Sequence, residues 1–259
     1  SQRHGSRLRA DLEGADVTLH AQLYDGRLAI SVDTSGTNLS ERHPRSYQHP
    51  ASLRPSIAAA MLELCSFGTG KALLDPMAGG GTVLTEACFI RNGIPAGRFQ
   101  ECFAFQRIAH LDSSLLPALR QQTDESSQPC SDRIGGCDRS TNALAGMRRN
   151  FAAQGIAAQI HVWEADAARL DRADIEGYEV LVTNPPFGLR SGRLAEVRKT
   201  YERVPMLAAQ AGVSQIVMIT PNDDWLIESA EAAGYELTDL VPFMHGDLDN
   251  RMIRLVWPI

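Results

Sequence analysis

Ala72-Leu73-Leu74-Asp75-Pro76-Met77-Ala78-Gly79-Gly80-Gly81-Thr82 is the stretch that decides the fold. Three apolar residues ending in an acid predict a short buried strand. The glycines stop it, and Val83, Ala87 and Ile90 follow at helical spacing, expected to face inward. The pattern then repeats. Ile134 to Asp138 is a second strand, followed by a helix carrying Leu144, Met147 and Phe151. Ile160 to Trp163, Tyr178 to Thr183 and Ile216 to Thr220 are further strands. Strands alternating with helices predict a doubly wound, mostly parallel sheet with helices on both faces. Tyr235 to Phe243 and Arg251 to Trp257 break the alternation. Joined by a Gly/Asp/Asn-rich turn, they should pair as an antiparallel hairpin, which is not the dehydrogenase pattern.

Upstream the periodicity changes. Val17 to Leu23 and Leu28 to Asp33 alternate around Asp25-Gly26, a strong hairpin signal. Two strands alone cannot bury a core, so this hairpin needs a partner. Ser40 to Arg54 is polar, carries Pro44 and Pro50, and predicts a linker. Beyond it Ile57, Met61, Leu64 and Cys65 form a helical stripe with Pro55 in the first turn. Gln121 to Arg133 is polar and expected to be a loop excursion.

The 259 residues suffice for one full α/β domain and a fragment of another. No apolar run approaches the roughly 20 residues that span a bilayer, and no basic-then-apolar leader opens the sequence. Cys65, Cys88, Cys102, Cys130 and Cys137 form no CxxC pair, so they are expected to be reduced, intracellular and structural, with no metal site. A cytoplasmic location follows from that expectation. The formal net charge of −6 argues against a protein that grips nucleic acid over its whole surface. Any such contact must use local basic clusters or a domain outside this chain.

Three strand-end acids and one rigid turn carry the chemistry. In the Asp75 to Thr82 loop, glycines let backbone approach a ligand and the helix N-terminus favours a carboxylate. Asp75 can hold an ammonium or simply order the loop. Asp138 can take both hydroxyls of a ribose, or serve as a helix N-cap before Arg139. Asp166 can accept from an adenine amine, or cap the next helix. All three fall on one sheet edge, where such folds bind ligands. The most specific signal is Asn184-Pro185-Pro186-Phe187-Gly188, directly after a strand. Two successive prolines fix an extended, rigid turn. It would aim the Asn184 side-chain oxygen and the Pro185 carbonyl at one NH₂ group, turning its lone pair toward an electrophile. Phe187 offers a ring on which a flipped base can stack, or is simply core.

The order DPMAGGGT, GCD, EAD, NPPFG resembles the amino-methyltransferases with an (N/D)PP(Y/F) motif, which carry the class I Rossmann-like fold. Flanking residues narrow the resemblance. Val32-Asp33-Thr34-Ser35-Gly36, Leu39-Ser40, Arg42, His49-Pro50-Ala51-Ser52-Leu53-Arg54 and Phe103-Ala104-Phe105-Gln106 look like the THUMP-associated RNA methyltransferases. That family methylates the 2-amino group of guanine in tRNA or ribosomal RNA. The resemblance covers the chain from about Val32 onward, without the THUMP domain itself.

It implies S-adenosylmethionine as cofactor. Asp75, Pro76, Met77, Ala78, Gly79, Gly81 and Thr82 would form its loop. Asp138 and Arg139 would lie at the ribose, and Asp166 and Ala167 at the adenine. His49, Pro50, Ala51, Ser52 and Leu53 would line the methionine end through their backbone. Asn184, Pro185, Pro186 and Phe187 would be the catalytic motif, with Asn184 also touching cofactor. Ala78 and Gly80 depart from the family's commoner Cys and Ser, a tolerable change where backbone makes the contacts. Residues 1–45 would close an RNA-binding or linker module, and 46–259 would be the methyltransferase domain. RNA is the implied partner, tRNA first and ribosomal RNA second, with no membrane and no metal. Arg190, Arg193, Arg198, Lys199 and Arg203, set against Glu196 and Glu202, could track phosphates or be a solvated helix face. Two alternatives stay open: adenine in DNA as substrate, and an inactive cofactor-binding subunit of an RNA-modifying assembly.

Overall fold

The computed structural model describes residues 10–258 except 12, 13, 50, 51, 69, 109, 128–131, 188–193, 246 and 247. Pro50, Ala51, Cys130, Gly188, Arg190 and Arg193 thus lie outside the described residues.

The chain opens with the hairpin that its Asp-Gly turn predicts. β1 (Leu19–Tyr24) pairs antiparallel with β2 (Arg27–Val32), Leu19 opposite Val32 and Tyr24 opposite Arg27. Asp25 (φ 47°) and Gly26 (φ 72°) are both left-handed, as the favoured two-residue turn requires. Leu19, Ala21 and Leu23 face Leu28, Ile30 and Val32 across the ladder, so one side of the hairpin is wholly apolar. Both strands are exposed along their whole length. Its exit is tied to the domain by Ala104 N and Phe105 N, which donate to Ser35 O and Thr34 O.

The remaining elements are α1 (Pro55–Leu64), β3 (Leu73–Asp75), α2 (Thr82–Arg91), α3 (Leu115–Ser126), β4 (Ile134–Asp138), α4 (Thr141–Gln154), β5 (Ile160–Glu164), α5 (Arg172–Ile175), β6 (Val180–Thr183), α6 (Leu194–Ala211), β7 (Gln215–Thr220), α7 (Asp223–Ala232), β8 (Glu236–His245) and β9 (Leu248–Val256). Seven strands form one sheet in the order β5-β4-β3-β6-β7-β9-β8. β3 to β7 are mutually parallel, and β9 runs antiparallel to both β7 and β8. The chain winds outward from β3 through β4 to β5, then returns to β6 and β7 on the other side. That reversal beside β3 creates the crevice where such sheets bind ligands.

Strand residues alternate between two cores. Leu73, Val180, Val182, Val217, Ile219 and Met252 pack with α1, α2 and α4. Leu181, Ile216, Met218, Ile253 and Leu255 pack with α6 and α7. Leu144, Met147 and Phe151 are buried as their spacing predicts. Ile90 is a correction: expected inward, it is 40% exposed. Every other residue of α2 is buried, so the one side that reaches solvent falls on Ile90. The polar stretch from Gln121 is a second correction. Its first six residues complete α3, an exposed helix with no buried side chain, which polar composition alone concealed. Among the described residues no helix is long and apolar enough to cross a membrane. No group of three His, Cys, Asp or Glu side chains there is placed to hold a metal ion.

Candidate active site

A cavity of about 320 Å³ opens at the C-terminal edge of the sheet, beside the reversal point. It lies at the small end of the roughly 300–1,000 Å³ typical of ligand sites. Its wall gathers residues from five separate stretches: His49, Ser52 and Leu53; Asp75 to Gly79 with Thr82; Asp138 and Arg139; Asp166 and Ala167; and Asn184, Pro185 and Pro186. Gly80, Val83, Ser140, Ala165 and Thr200 also line it and were not expected. Strand ends show which residues reach an edge, but neighbouring wall residues carry no signal of their own. Thr200 comes from α6, whose approach to the cavity is decided only by packing.

The acids are held, not loose. Asp75 is buried at the end of β3, and its Oδ1 accepts from Met77 N (3.1 Å) and Thr183 Oγ1 (2.7 Å). Burial pushes its carboxyl up to about 7, against the pull of those two hydrogen bonds. Asp138 joins two loops: Oδ2 accepts from Gly79 N and Oδ1 from Ser140 N, both at 2.9 Å. The cap of α4 is Ser140, whose hydroxyl accepts from Ala143 N. Asp166 lines the cavity and also caps a short turn, accepting from Ala168 N at 3.0 Å. Cavity-lining and capping roles therefore coexist in one side chain. Arg139 reaches out to Glu196, 3.7 Å away.

The wall facing the glycine loop is the linker, worn as a strap. Arg42 pairs with buried Glu86 on α2, and His43 Nε2 lies 3.3 Å from the same carboxylate. Gln154 Nε2 donates to Pro44 O at 2.9 Å. Asn150 on α4 accepts from Tyr47 N and donates to both Tyr47 O and Gly80 O, at 2.9, 3.0 and 3.1 Å. One buried amide thereby fixes strap and loop together. The Tyr47 ring sits where a Cβ on Gly146 would be, 2.2 Å away. His49 then packs on Gly79 and Gly80.

Two expected site residues stand apart. Gly81 is not on the cavity wall; it is the left-handed cap of α2 (φ 80°), and a Cβ there would lie 2.6 Å from Met147 and 2.7 Å from Phe151. Phe187 is half-buried against the cluster that holds Val182 and Met252, and it too is absent from the wall. Within the catalytic turn Pro185 is buried and Pro186 exposed. Asn184 Oδ1 is buried and accepts no hydrogen bond among the described residues. A buried carbonyl without a donor is costly, and this one belongs to a residue of the cavity wall. Of the basic segment, Arg198 pairs with Glu202 (2.9 Å) and Arg203 donates to Leu170 O (2.9 Å), while Lys199 is exposed.

A parallel sheet finished by an antiparallel hairpin, with a glycine loop, strand-end acids and an NPPF turn around one crevice, defines a class I methyltransferase. The chain belongs to the family described as RMKL-like, methyltransferase domain, whose model matches residues 42–251. It is 29% identical over 240 residues to the tRNA (guanine(6)-N2)-methyltransferase of Archaeoglobus fulgidus, covering 92% of this chain and 57% of that protein. It is 28% identical over 255 residues to the ribosomal RNA large subunit methyltransferase K/L of Chromohalobacter salexigens, covering 95% and 34% respectively. Among solved structures, TrmN from Thermus thermophilus shares the fold with a TM-score of 0.70 at 20% identity, over 96% of this chain and 62% of that one. The chain therefore spans less than two thirds of each of these relatives.

Proposed function

We propose that this chain transfers a methyl group from S-adenosylmethionine to an exocyclic base amine in RNA, the 2-amino group of guanine in tRNA. The observation that carries the proposal is the buried Asn184 Oδ1 on the rim of the cavity, without a partner among the described residues. The relatives named for tRNA guanine and ribosomal RNA methylation support the substrate class.

The cavity residues fit the cofactor. Backbone of Asp75 to Gly80 would hold the aminoacyl end, Asp138 the ribose and Asp166 the adenine amine, with His49, Ser52 and Leu53 opposite. When bound, S-adenosylmethionine supplies a methyl group on an electrophilic sulfonium. The chain's own work is positioning. Asn184 Oδ1 and the Pro185 carbonyl accept from the target amine and orient its nitrogen, and the surplus proton leaves late, to solvent. Orientation and fixed dipoles supply most of the rate, so no separate general base is demanded.

We assign RNA capture to a THUMP domain outside this chain, because the net charge here is −6 and the hairpin's apolar side is uncovered among the described residues. In this assignment residues 1–45 belong with that module by sequence. We propose a boundary near residue 41, a reading supported by the packing of Arg42 and His43 on Glu86. We place the enzyme in the cytoplasm, with its RNA.

Asp138→Ala removes the ribose acceptor and frees Gly79 N together. Affinity for S-adenosylhomocysteine should fall by ~1–3 kcal/mol. Calorimetry giving the unmutated affinity would overturn the ribose assignment. The function itself is tested by nucleoside mass spectrometry after incubation with S-adenosylmethionine and tRNA, ribosomal RNA or duplex DNA. N2-methylguanine in tRNA is expected. N2-methylguanine only in ribosomal RNA would correct the substrate, and N6-methyladenine in DNA would replace the proposal.

A further inference from the structure

β3 and β6 are neighbours in the sheet, with Leu73 opposite Val180 and Leu74 opposite Leu181. Their ends carry the two halves of the site, the cofactor loop after Asp75 and the catalytic turn after Thr183. Thr183 is fully buried, Asp75 nearly so, and the 2.7 Å hydrogen bond between them spans 108 residues of sequence. Met77 N donates to the same oxygen, Oδ1. Oδ2 takes part in neither bond, and Asp75 lines the cavity. A hydroxyl that fixes one carboxylate oxygen leaves the other aimed by default.

We infer that Thr183 is a positioning residue: its hydroxyl locks the Asp75 carboxylate so that Oδ2 meets the cofactor's ammonium, and locks the cofactor loop to the turn that carries Asn184. The inference rests on the proposed function for the identity of the ligand. The lock itself is a property of the chain. Other groups facing Asp75 leave the hydroxyl's role distinct. Asp138 on β4 opposes ionisation, Cys137 on β4 donates to Pro76 O, and His49, Arg139 and Asp166 lie around the same cavity.

The sign follows from the hydrogen bond. Burial raises the Asp75 carboxyl and the Thr183 hydroxyl lowers it. Folded-state stability is therefore fullest below the ordinary carboxylate range and declines as pH rises through about 7. Removing the hydroxyl moves that decline to higher pH and leaves more Asp75 protonated at pH 7.

The experiment compares Thr183→Val, which keeps shape, with Thr183→Ser, which keeps the hydroxyl. Thermal unfolding of ligand-free protein and binding of S-adenosylmethionine are each followed from pH 5.5 to 8. In Thr183→Val the stability decline should shift to higher pH and affinity at pH 7 should fall roughly tenfold. Thr183→Ser should restore both. Superimposable pH profiles and affinities for Thr183→Val and the unmutated chain would overturn the inference. A lower unfolding temperature with unmoved pH profiles would also overturn it, leaving Thr183 as packing. If the unmutated chain fails to bind S-adenosylmethionine, the proposed function falls, while the ligand-free pH profile still decides the lock.

Discussion

Asn184→Ala should slow methyl transfer on the order of 100-fold at saturating RNA and cofactor, with no loss of folding stability. The two halves of that expectation have one cause. Among the described residues Asn184 Oδ1 is buried without a partner, so deleting it breaks no hydrogen bond seen in the fold. The turn is held by Pro185 and Pro186, which keep their restricted backbone regardless of residue 184. What disappears is an acceptor that matters chiefly while the amine attacks, so the effect belongs in the rate. Single-turnover kinetics beside thermal unfolding make the check. Transfer at the unmutated rate would mean that something else orients the amine, and the mechanism would be wrong. A collapse of stability would mean that the oxygen is structural.

The opposite signature is expected at Gly81. Gly81→Ala should cost roughly 2–4 kcal/mol of stability, from left-handed strain together with overpacking. At φ 80° an added methyl meets Met147 at 2.6 Å and the Phe151 ring at 2.7 Å, both fully buried on α4. Gly155 supplies the control. It is also left-handed (φ 74°), but nothing lies within 4 Å of its virtual Cβ, so Gly155→Ala should cost only ~1–2 kcal/mol. Urea unfolding midpoints for the two variants separate strain from crowding. Equal midpoints would show that α4 yields at Gly81, and that its glycine answers to the turn alone.

Gly81 also marks where sequence reasoning changes character. A glycine after a strand is legible as a loop element, yet the same letter lines the cavity at Gly79 and Gly80 and makes a helix contact at Gly81. Asp138 is similar: its place at a strand end is evident, but its hold on Gly79 N is not. The residue type of Phe187 suits a stacking ring or core equally, and it packs half-buried on the core. In the basic segment, ion pairs at i,i+4 spacing are local and readable, as in Arg198 with Glu202. Arg203, by contrast, turns to Leu170 O, 33 residues away.

By itself the sequence determined the succession of strands, the parallel sheet, the closing hairpin, the Asp25-Gly26 turn and the NPPF turn. These rest on apolar periodicity and on the backbone limits of Gly and Pro, which act within a few residues. Only the tertiary structure decided that His49, Ser52 and Leu53 come back to wall the cavity, that Asn150 clamps Tyr47 to Gly80, and that Thr183 binds Asp75. Those partners stand 103, 70 and 108 residues apart. A side-chain amide or hydroxyl takes whichever donor or acceptor the sheet order brings within about 3 Å, and no local pattern encodes that distance.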